Sequence, residues 1–350
     1  MATEQPLKII VASAGRRAHY IEWFQDALRT QGLDGEVIAM EYRATSPGFG
    51  MADRAVQTPA YNGPEYPNTL RTWFEEERPD LFLCMNDYEM QVLSEGLADE
   101  LRELGCAMAI LKPEAQAIVL DKHLMAKEIK ARGIPTAETR LGSEVDEIIA
   151  GADKDAKFVV KHRYGSGSSG LSITGIDGLH EAVAMSGETA LDENARPVQD
   201  GPAGVIIQEY LPGNEYGVDA VFSVDGKSQL LGVVARRKDK MLAGDTDIAT
   251  SVASEPFVPA ITKLGELLRP TASIDVDFRE NAAGEPLIID INPRMGGGYP
   301  FSHSAGADLP GALVRSAAGL EPDPTLLEYA PGVTTVTRMA FTVLDRDETA

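Results

Sequence analysis

The sequence predicts a parallel α/β layer at the amino end followed by an α+β region, on three observations. The run LKIIVA at 7–12 is continuously apolar, as in a parallel strand covered on both faces, and a small-residue turn, SAGRR, and an amphipathic helix over about 18–30 follow it. After residue 113 the pattern changes to strands joined by turn signals, as in KFVVK followed by HRYGSGSSG. Near the carboxyl end VDF at 276–278 and the apolar strand opening IIDINPRMGGGYPFSHSAG at 288–306 flank Asn281, Gly284 and Pro286, which read as a hairpin. The expected units are 1–113, an open parallel α/β domain; 114–207, a smaller unit with a glycine-rich loop; and 208–350, a carboxyl-terminal unit.

Taken in order, the first unit continues with a strand at 36–40, an apolar strand at 80–85 and helical stretches at about 69–77 and 88–104. Ligands of such a layer belong at its strand ends. SAGRR holds only Gly15, so a dinucleotide fingerprint is weak here. Arg16 and Arg17 read either as a solvated basic turn or as contacts for a phosphate or carboxylate, and the loop 86–89, NDYE, is equally open.

In the second unit Asp121 and Lys122 open a helix through Arg132, which GIP at 133–135 ends. The strand at 157–161 delivers Lys161 to the loop Gly165, Ser166, Gly167, Ser168, Ser169 and Gly170. Glycines and serines leave backbone N–H groups and hydroxyls free to close over phosphates, and a lysine adds a point charge; by itself the loop also reads as a flexible turn. A polar surface loop at 192–204 leads to QEYLPGNEY, which reads as a strand corner or as an extended hinge offering a purine edge a donor and an acceptor, with Glu215 in reach of a ribose diol. The stretch at 233–252 carries Arg236, Arg237, Lys238 and Lys240, either an exposed hairpin edge or an anion-facing loop. A helix is expected over about 309–319 and a late strand over 333–344.

Asp290 and Asn292 alternate with Ile289 and Ile291, so both point to one face of their strand, and Asp277 lies 13 residues upstream across the hairpin. Two carboxylates and an amide oxygen suit Mg2+ (Mn2+ as the alternative), which shares its coordination sphere with substrate phosphates. Arg294 is close enough to meet such a phosphate.

Composition narrows the partners. Lysine and arginine total 32 against 54 acidic residues, a formal charge of -22, which argues against nucleic acid as partner. No apolar run approaches the length of a membrane helix, and the start lacks a basic leader with a cleavable apolar core. Two cysteines without paired spacing complete the expectation of a cytoplasmic protein, with a homodimer as the default assembly.

The ordered set DK, VVK with its GSGSSG loop, QEYLPGNEY, VDF and DINPRMGGG resembles the ATP-grasp superfamily over about 121–318, and the preceding layer resembles the domain that precedes the grasp, in the carbamoyl-phosphate-synthetase-like branch. The resemblance implies that Lys122 and Lys161 hold ATP phosphates under the loop 165–170. It implies that Glu209, Tyr210 and Leu211 form the adenine hinge, Glu209 and Leu211 through their backbones, and that Glu215 binds ribose. Asp277, Asp290 and Asn292 would be the metal ligands, and Arg294 with Lys161 the catalytic pair. Two departures stand out: His162 where relatives often have proline, implying a looser strand end, and Asp290 where glutamate is commoner, implying a shorter reach.

By this resemblance a small carboxylate takes the γ-phosphate of ATP and an amine displaces it, forming an amide or peptide bond. Gly296, Gly297 and Gly298 are the preferred seat for the substrate carboxylate, Arg237 a contact for a second one, and His303 either a base for the amine or a structural histidine. Competing readings are a bicarbonate- or thiol-using ligase, a nucleotide-binding module without turnover, and a dehydrogenase on the amino-terminal layer.

Overall fold

The computed structural model describes residues 5–165, 170–192, 195–242 and 244–338. Its first sheet holds β1 (Leu7–Ala12), β2 (Gly35–Glu41), β3 (Arg54–Gln57), β4 (Leu81–Cys84) and β5 (Ala107–Met108), all parallel, in the order β3-β2-β1-β4-β5. Ile9, Ile10 and Val11 are fully buried because helices cover both faces, which is what the unbroken apolar run of β1 requires. The expected helix over 88–104 is two helices, Asp87–Ser94 and Leu97–Glu103, since Gly96 takes a φ of +129° between them. The short strands β3 and β5 carry too few residues to stand out as periodic.

The second sheet is antiparallel: β6 (Thr139–Leu141), β7 (Lys157–His162), β8 (Ser172–Gly175) and β9 (Val205–Glu209), in the order β6-β9-β7-β8. Helix Leu179–Gly187 packs Val183 and Leu179 against Val160, Val205 and Ile207 of its inner face. The whole of β9 lies in this sheet, so the passage to the next layer falls after Glu209, two residues beyond the expected 207.

The third sheet contains β10 (Glu215–Phe222), β11 (Leu230–Leu242), β12 (Asp245–Val252), β13 (Ala272–Glu280), β14 (Pro286–Asn292) and β15 (Thr334–Val336), antiparallel in the order β14-β13-β10-β11-β12-β15. The β13–β14 hairpin turns where the sequence signals it: Asn281 Oδ1 accepts from Ala283 N (2.9 Å) and Glu285 N (3.0 Å), and Gly284 takes a φ of +80°. The rest of the expected late strand, past 338, lies outside the described residues.

Two apolar cores cross the expected boundaries. Helices Pro113–Leu120 and Lys122–Ala131 pack Val119, Met125 and Ile129 against the third sheet through Val218, Val276 and Ile288. Helix Leu309–Ala317 packs Leu309, Leu313 and Val314 with Tyr20, Phe24 and Leu28 of helix His19–Thr30, so the carboxyl-terminal segment closes the amino-terminal layer. Among the described residues no helix is long and apolar enough to cross a membrane.

Candidate active site

The second and third sheets face each other across a cleft of about 330 Å³ that Lys122, Lys161, Glu209, Glu215, Asp277 and Asp290 help to line. Lys122 reaches it from the first turn of its helix. Asp121 caps that helix, accepting from His123 N (3.0 Å) and Leu124 N (3.2 Å), and the Arg163 fork grips the same carboxylate at 2.8 and 2.6 Å. Burial works to raise the Asp121 carboxyl, but the Arg163 bonds prevail and hold it below the usual range. Lys122 Nζ then donates to Gly165 O at 2.7 Å and lies 3.3 Å from Asp290 Oδ1.

Strand alternation sends Lys161 into the cleft, where its buried Nζ donates to Ile289 O at 3.1 Å. Burial lowers this ammonium below the usual lysine value; Asp290 pulls the other way, and Lys122 adds to the lowering. His162 does not loosen the strand end as expected. Its Nε2 lies 3.1 Å from Ser186 O and 3.2 Å from Thr189 Oγ1, which ties the base of the glycine-rich loop to helix Leu179–Gly187. Gly165 and Gly170 flank that loop with φ of +97° and +63°, while Ser166, Gly167, Ser168 and Ser169 lie outside the described residues.

At the hinge, Glu209 N donates to Glu138 O (2.9 Å), but Glu138 N donates to Glu209 Oε1 (2.8 Å) in place of the backbone carbonyl. Tyr210 N bonds Lys157 O (3.1 Å) and Leu211 O accepts from Arg279 Nε (2.8 Å). Among the described residues no hydrogen bond ends on Glu209 O or starts from Leu211 N. The ladder thus stops with an acceptor and a donor two residues apart at the cleft. Leu171, Ile173 and Met241 line the same cleft with 45%, 54% and 41% of their surfaces exposed, an apolar wall without a cover.

Asp277 and Asp290 are register partners across the β13–β14 hairpin, and Asn292 is the partner of Asp275. Asp277 Oδ1 lies 2.7 Å from Lys238 Nζ, which also meets Glu215 Oε1 at 3.0 Å; Arg279 Nη1 takes Glu215 Oε2 at 2.9 Å. Burial raises the Asp277 carboxyl to about 6 against the pull of Lys238. Among the described residues no three histidine, cysteine, aspartate or glutamate side chains converge as a metal cage. The donor set is two carboxylates plus the Asn292 amide oxygen, which Arg294 Nη2 meets at 3.4 Å. An incomplete set of hard oxygens fits a cation that takes its remaining ligands from phosphates and water.

Arg294 is buried, and its fork is filled by Asp87 of the amino-terminal layer at 2.7 and 3.1 Å, so the loop NDYE does reach the site. In the segment 296–298, Gly296 N donates to Asp219 Oδ1 (3.3 Å) and Gly296 O accepts from Tyr20 OH (2.6 Å). Below it lies a buried triad: Arg236 joins Asp219 and Asp275 (3.0 Å to the latter). A Cβ on Gly298 would lie 2.4 Å from Arg236 Nε, so this glycine is a packing requirement.

Two expected substrate contacts are displaced. Arg237 projects from the other face of β11 and pairs with Asp239 at 2.6 Å; alternation turns Arg236 and Lys238 inward instead. His303 is structural in character: Nδ1 lies 2.9 Å from Tyr299 OH and 3.1 Å from Ala307 O, and its ring stacks on Trp23 with centroids 4.0 Å apart. Sequence reading gave Arg279 no role and left Lys238 and Asp87 inside stretches with open readings; the period-2 pattern of β11 was the available signal for Lys238.

Two antiparallel sheets close on a lysine-lined cleft beside a carboxylate hairpin, behind a parallel α/β layer, which is the architecture of an ATP-grasp fold. Residues 202–339 match the family described as "ATP-grasp in the biosynthetic pathway with Ter operon", and residues 9–109 match the PylC-like N-terminal domain. The fold is similar to biotin carboxylase from Campylobacter jejuni in complex with β-γ-ATP (TM-score 0.69, 14% identity, 93% of this chain and 74% of that one). It is also similar to the biotin carboxylase domain of 2-oxoglutarate carboxylase from Hydrogenobacter thermophilus, in complex with MgADP, ADP and bicarbonate (0.66, 17%, 91% and 70%). A third similar structure is L-amino acid ligase from Bacillus licheniformis (0.65, 15%, 95% and 79%).

Proposed function

We propose that this protein is an ATP-dependent carboxylate-amine ligase that joins small amino-acid-like substrates through an acyl phosphate. The observation that carries the reading is the set of groups at one cleft. An unpaired acceptor and donor with an apolar wall stand at the hinge, and two lysines and an aspartate pair line the same cleft; the buried Arg294 comes two residues after Asn292, its Nη2 3.4 Å from the Asn292 oxygen. That set matches adenine, phosphates, metal and transferring group. Glu209 O and Leu211 N take the adenine edge, Leu171, Ile173 and Met241 cover its faces, and Glu215 takes the ribose while Arg279 and Lys238 fix its carboxylate. Lys122 and Lys161 hold the phosphates.

Mg2+, when bound by Asp277, Asp290 and Asn292, neutralises phosphate charge; Mn2+ suits the same donors. The substrate carboxylate, seated at 296–298, attacks the γ-phosphorus and ADP leaves. Lys161 and Arg294 meet the charge that spreads over the transferring group. The amine then attacks the acyl carbon, loses a proton to solvent, and inorganic phosphate departs with the C–O bond electrons. In keeping with this reading, the fold resembles proteins whose names specify ATP or ADP complexes and amino-acid ligation.

The test is ADP formation with Mg2+ and ATP in the presence of an amino-acid mixture, with product masses read by mass spectrometry. Turnover that needs both a carboxylate and an amine supports the ligase. Turnover on bicarbonate alone favours the second reading, a bicarbonate-using ligase, which the likeness to two biotin carboxylase structures brings forward. No ADP under any condition overturns both.

A further inference from the structure

Arg17 stands at the crevice between the carboxyl ends of β1 and β4, where the parallel sheet reverses its strand order and where open α/β sheets take their ligands. The turn that presents it is held from below. Ser13 and Gly15 adopt φ of +51° and +54°, Ser13 Oγ bonds the buried Glu89, and Gly15 N donates to Glu41 Oε1 at 3.0 Å. Arg17 Nη1 donates to Met85 O at 3.2 Å, which fixes one prong of the guanidinium. Its Nε and Nη2 donate no hydrogen bond among the described residues, and no carboxylate lies within ion-pair distance. That edge faces the site loop: a Cβ on Gly297 would lie 3.6 Å from Nη2 and 3.8 Å from Nε. Asp87 and Asp245 are the acidic groups that act on Arg17, but Asp87 is committed to the Arg294 fork and Asp245 pairs with Arg16 at 3.6 Å. Arg236 and Arg294, the other guanidinium groups near the segment 296–298, are paired with Asp219, Asp275 and Asp87, so the Nε–Nη2 edge of Arg17 is the cationic edge there without a carboxylate among the described residues.

We infer that the Nε–Nη2 edge of Arg17 receives a substrate carboxylate that the reaction does not consume, bound in two-pronged fashion beside Gly297. The inference rests on the ligase reading for the seat of the reacting carboxylate at 296–298, and it deepens that reading. At least one substrate carries an anionic group beyond the reacting pair, either as a dicarboxylate or as the α-carboxylate of the amine. It assigns Arg17 as a specificity residue.

The test is calorimetric titration of the full chain, with and without a non-hydrolysable ATP analogue, against succinate, propionate, L-alanine and L-alaninamide. Succinate or L-alanine should bind, and R17Q should weaken that binding about tenfold or more without changing affinity for the nucleotide analogue. Propionate and L-alaninamide should bind both proteins equally weakly. A drop for succinate assigns the spare carboxylate to the acid substrate; a drop confined to L-alanine assigns it to the amine. R17K keeps the charge and loses the fork, so it should also weaken binding, and it carries the test if R17Q fails to fold. Equal affinities in wild type and variants, or no binding of any carboxylate to the wild type, overturn the inference. Wild type that binds the carboxylate through Arg17 but no nucleotide would leave it standing and sink the ligase reading instead.

Discussion

Replacing Lys161 with methionine keeps most of the side-chain volume and removes its charge. Lys161 is buried, its Nζ is held by Ile289 O, and Lys122 and Asp290 are the nearest charges acting on it. In such a dry site the loss of one fixed positive donor costs about 2.7–4 kcal/mol of transition-state stabilisation, which lowers kcat by about 10²–10³. Folding should change little. The lost bond, worth about 1.5–3 kcal/mol for a charged donor, is offset by relief of the cost of burying the ammonium, and Asp290 keeps Lys122 at 3.3 Å. The assay is ADP release at saturating substrates beside a urea unfolding curve. A kcat within about threefold of wild type with the fold intact would refute the reasoning, because Lys122, the other buried lysine of the cleft, is engaged by Gly165 O and Asp290 and does not replace the lost charge. The lowered value of Lys161 adds a pH signature. The unfolded chain keeps this proton up to the usual lysine range while the fold releases it earlier, so the unfolded state binds more protons in that window and stability rises with pH there. Nucleotide affinity should move the opposite way, and K161M should lose that alkaline limb.

Asp290→Asn should raise the Mg2+ concentration needed for half-maximal turnover by about tenfold or more, checked by metal titration; an unchanged metal curve would remove Asp290 from the ligand set. Asp87→Ala and Arg294→Ala, with their double variant, should show a coupling of about 1.5–3 kcal/mol in urea unfolding, since the fork is bidentate and buried; additivity would mean the pair does not join the layers. Gly298→Ala should destabilise by about 1–3 kcal/mol and lower kcat, because its Cβ meets Arg236 Nε and the triad beneath cannot yield freely; a neutral midpoint would show that the triad can shift.

The elements that sequence reading found are those with strong local grammar. β1 announces itself by its apolar run, the β13–β14 hairpin by Asn281 and Gly284, and the helix after Asp121 by its cap. Asp290 and Asn292 were legible because alternation fixes the face of a side chain once the strand is known, and Lys161 as a charge at a strand end before a glycine-rich loop, whereas Lys122, on a helix, came from the resemblance. What escaped depends on chain segments far apart. Asp87 meets Arg294 across 207 residues, and nothing local in NDYE says so. Arg237 was favoured over its neighbours because the phase of β11 follows from its pairing with β10, which sequence alone leaves open by one residue. His303 carried chemical promise by residue type, and its ring stack on Trp23 could not be foreseen.

The layer built first is completed last. Leu309, Leu313 and Val314 belong to the apolar core around helix His19–Thr30, although some two hundred residues separate the end of the amino-terminal layer from them. At synthesis rates of about 5–20 residues per second, a nascent chain waits about 10–40 s with that greasy flank uncovered. Expression at low temperature, or with chaperones that shelter unfinished domains, is therefore the natural route to soluble material, and gene fragments ending near residue 113 are poor vehicles for it.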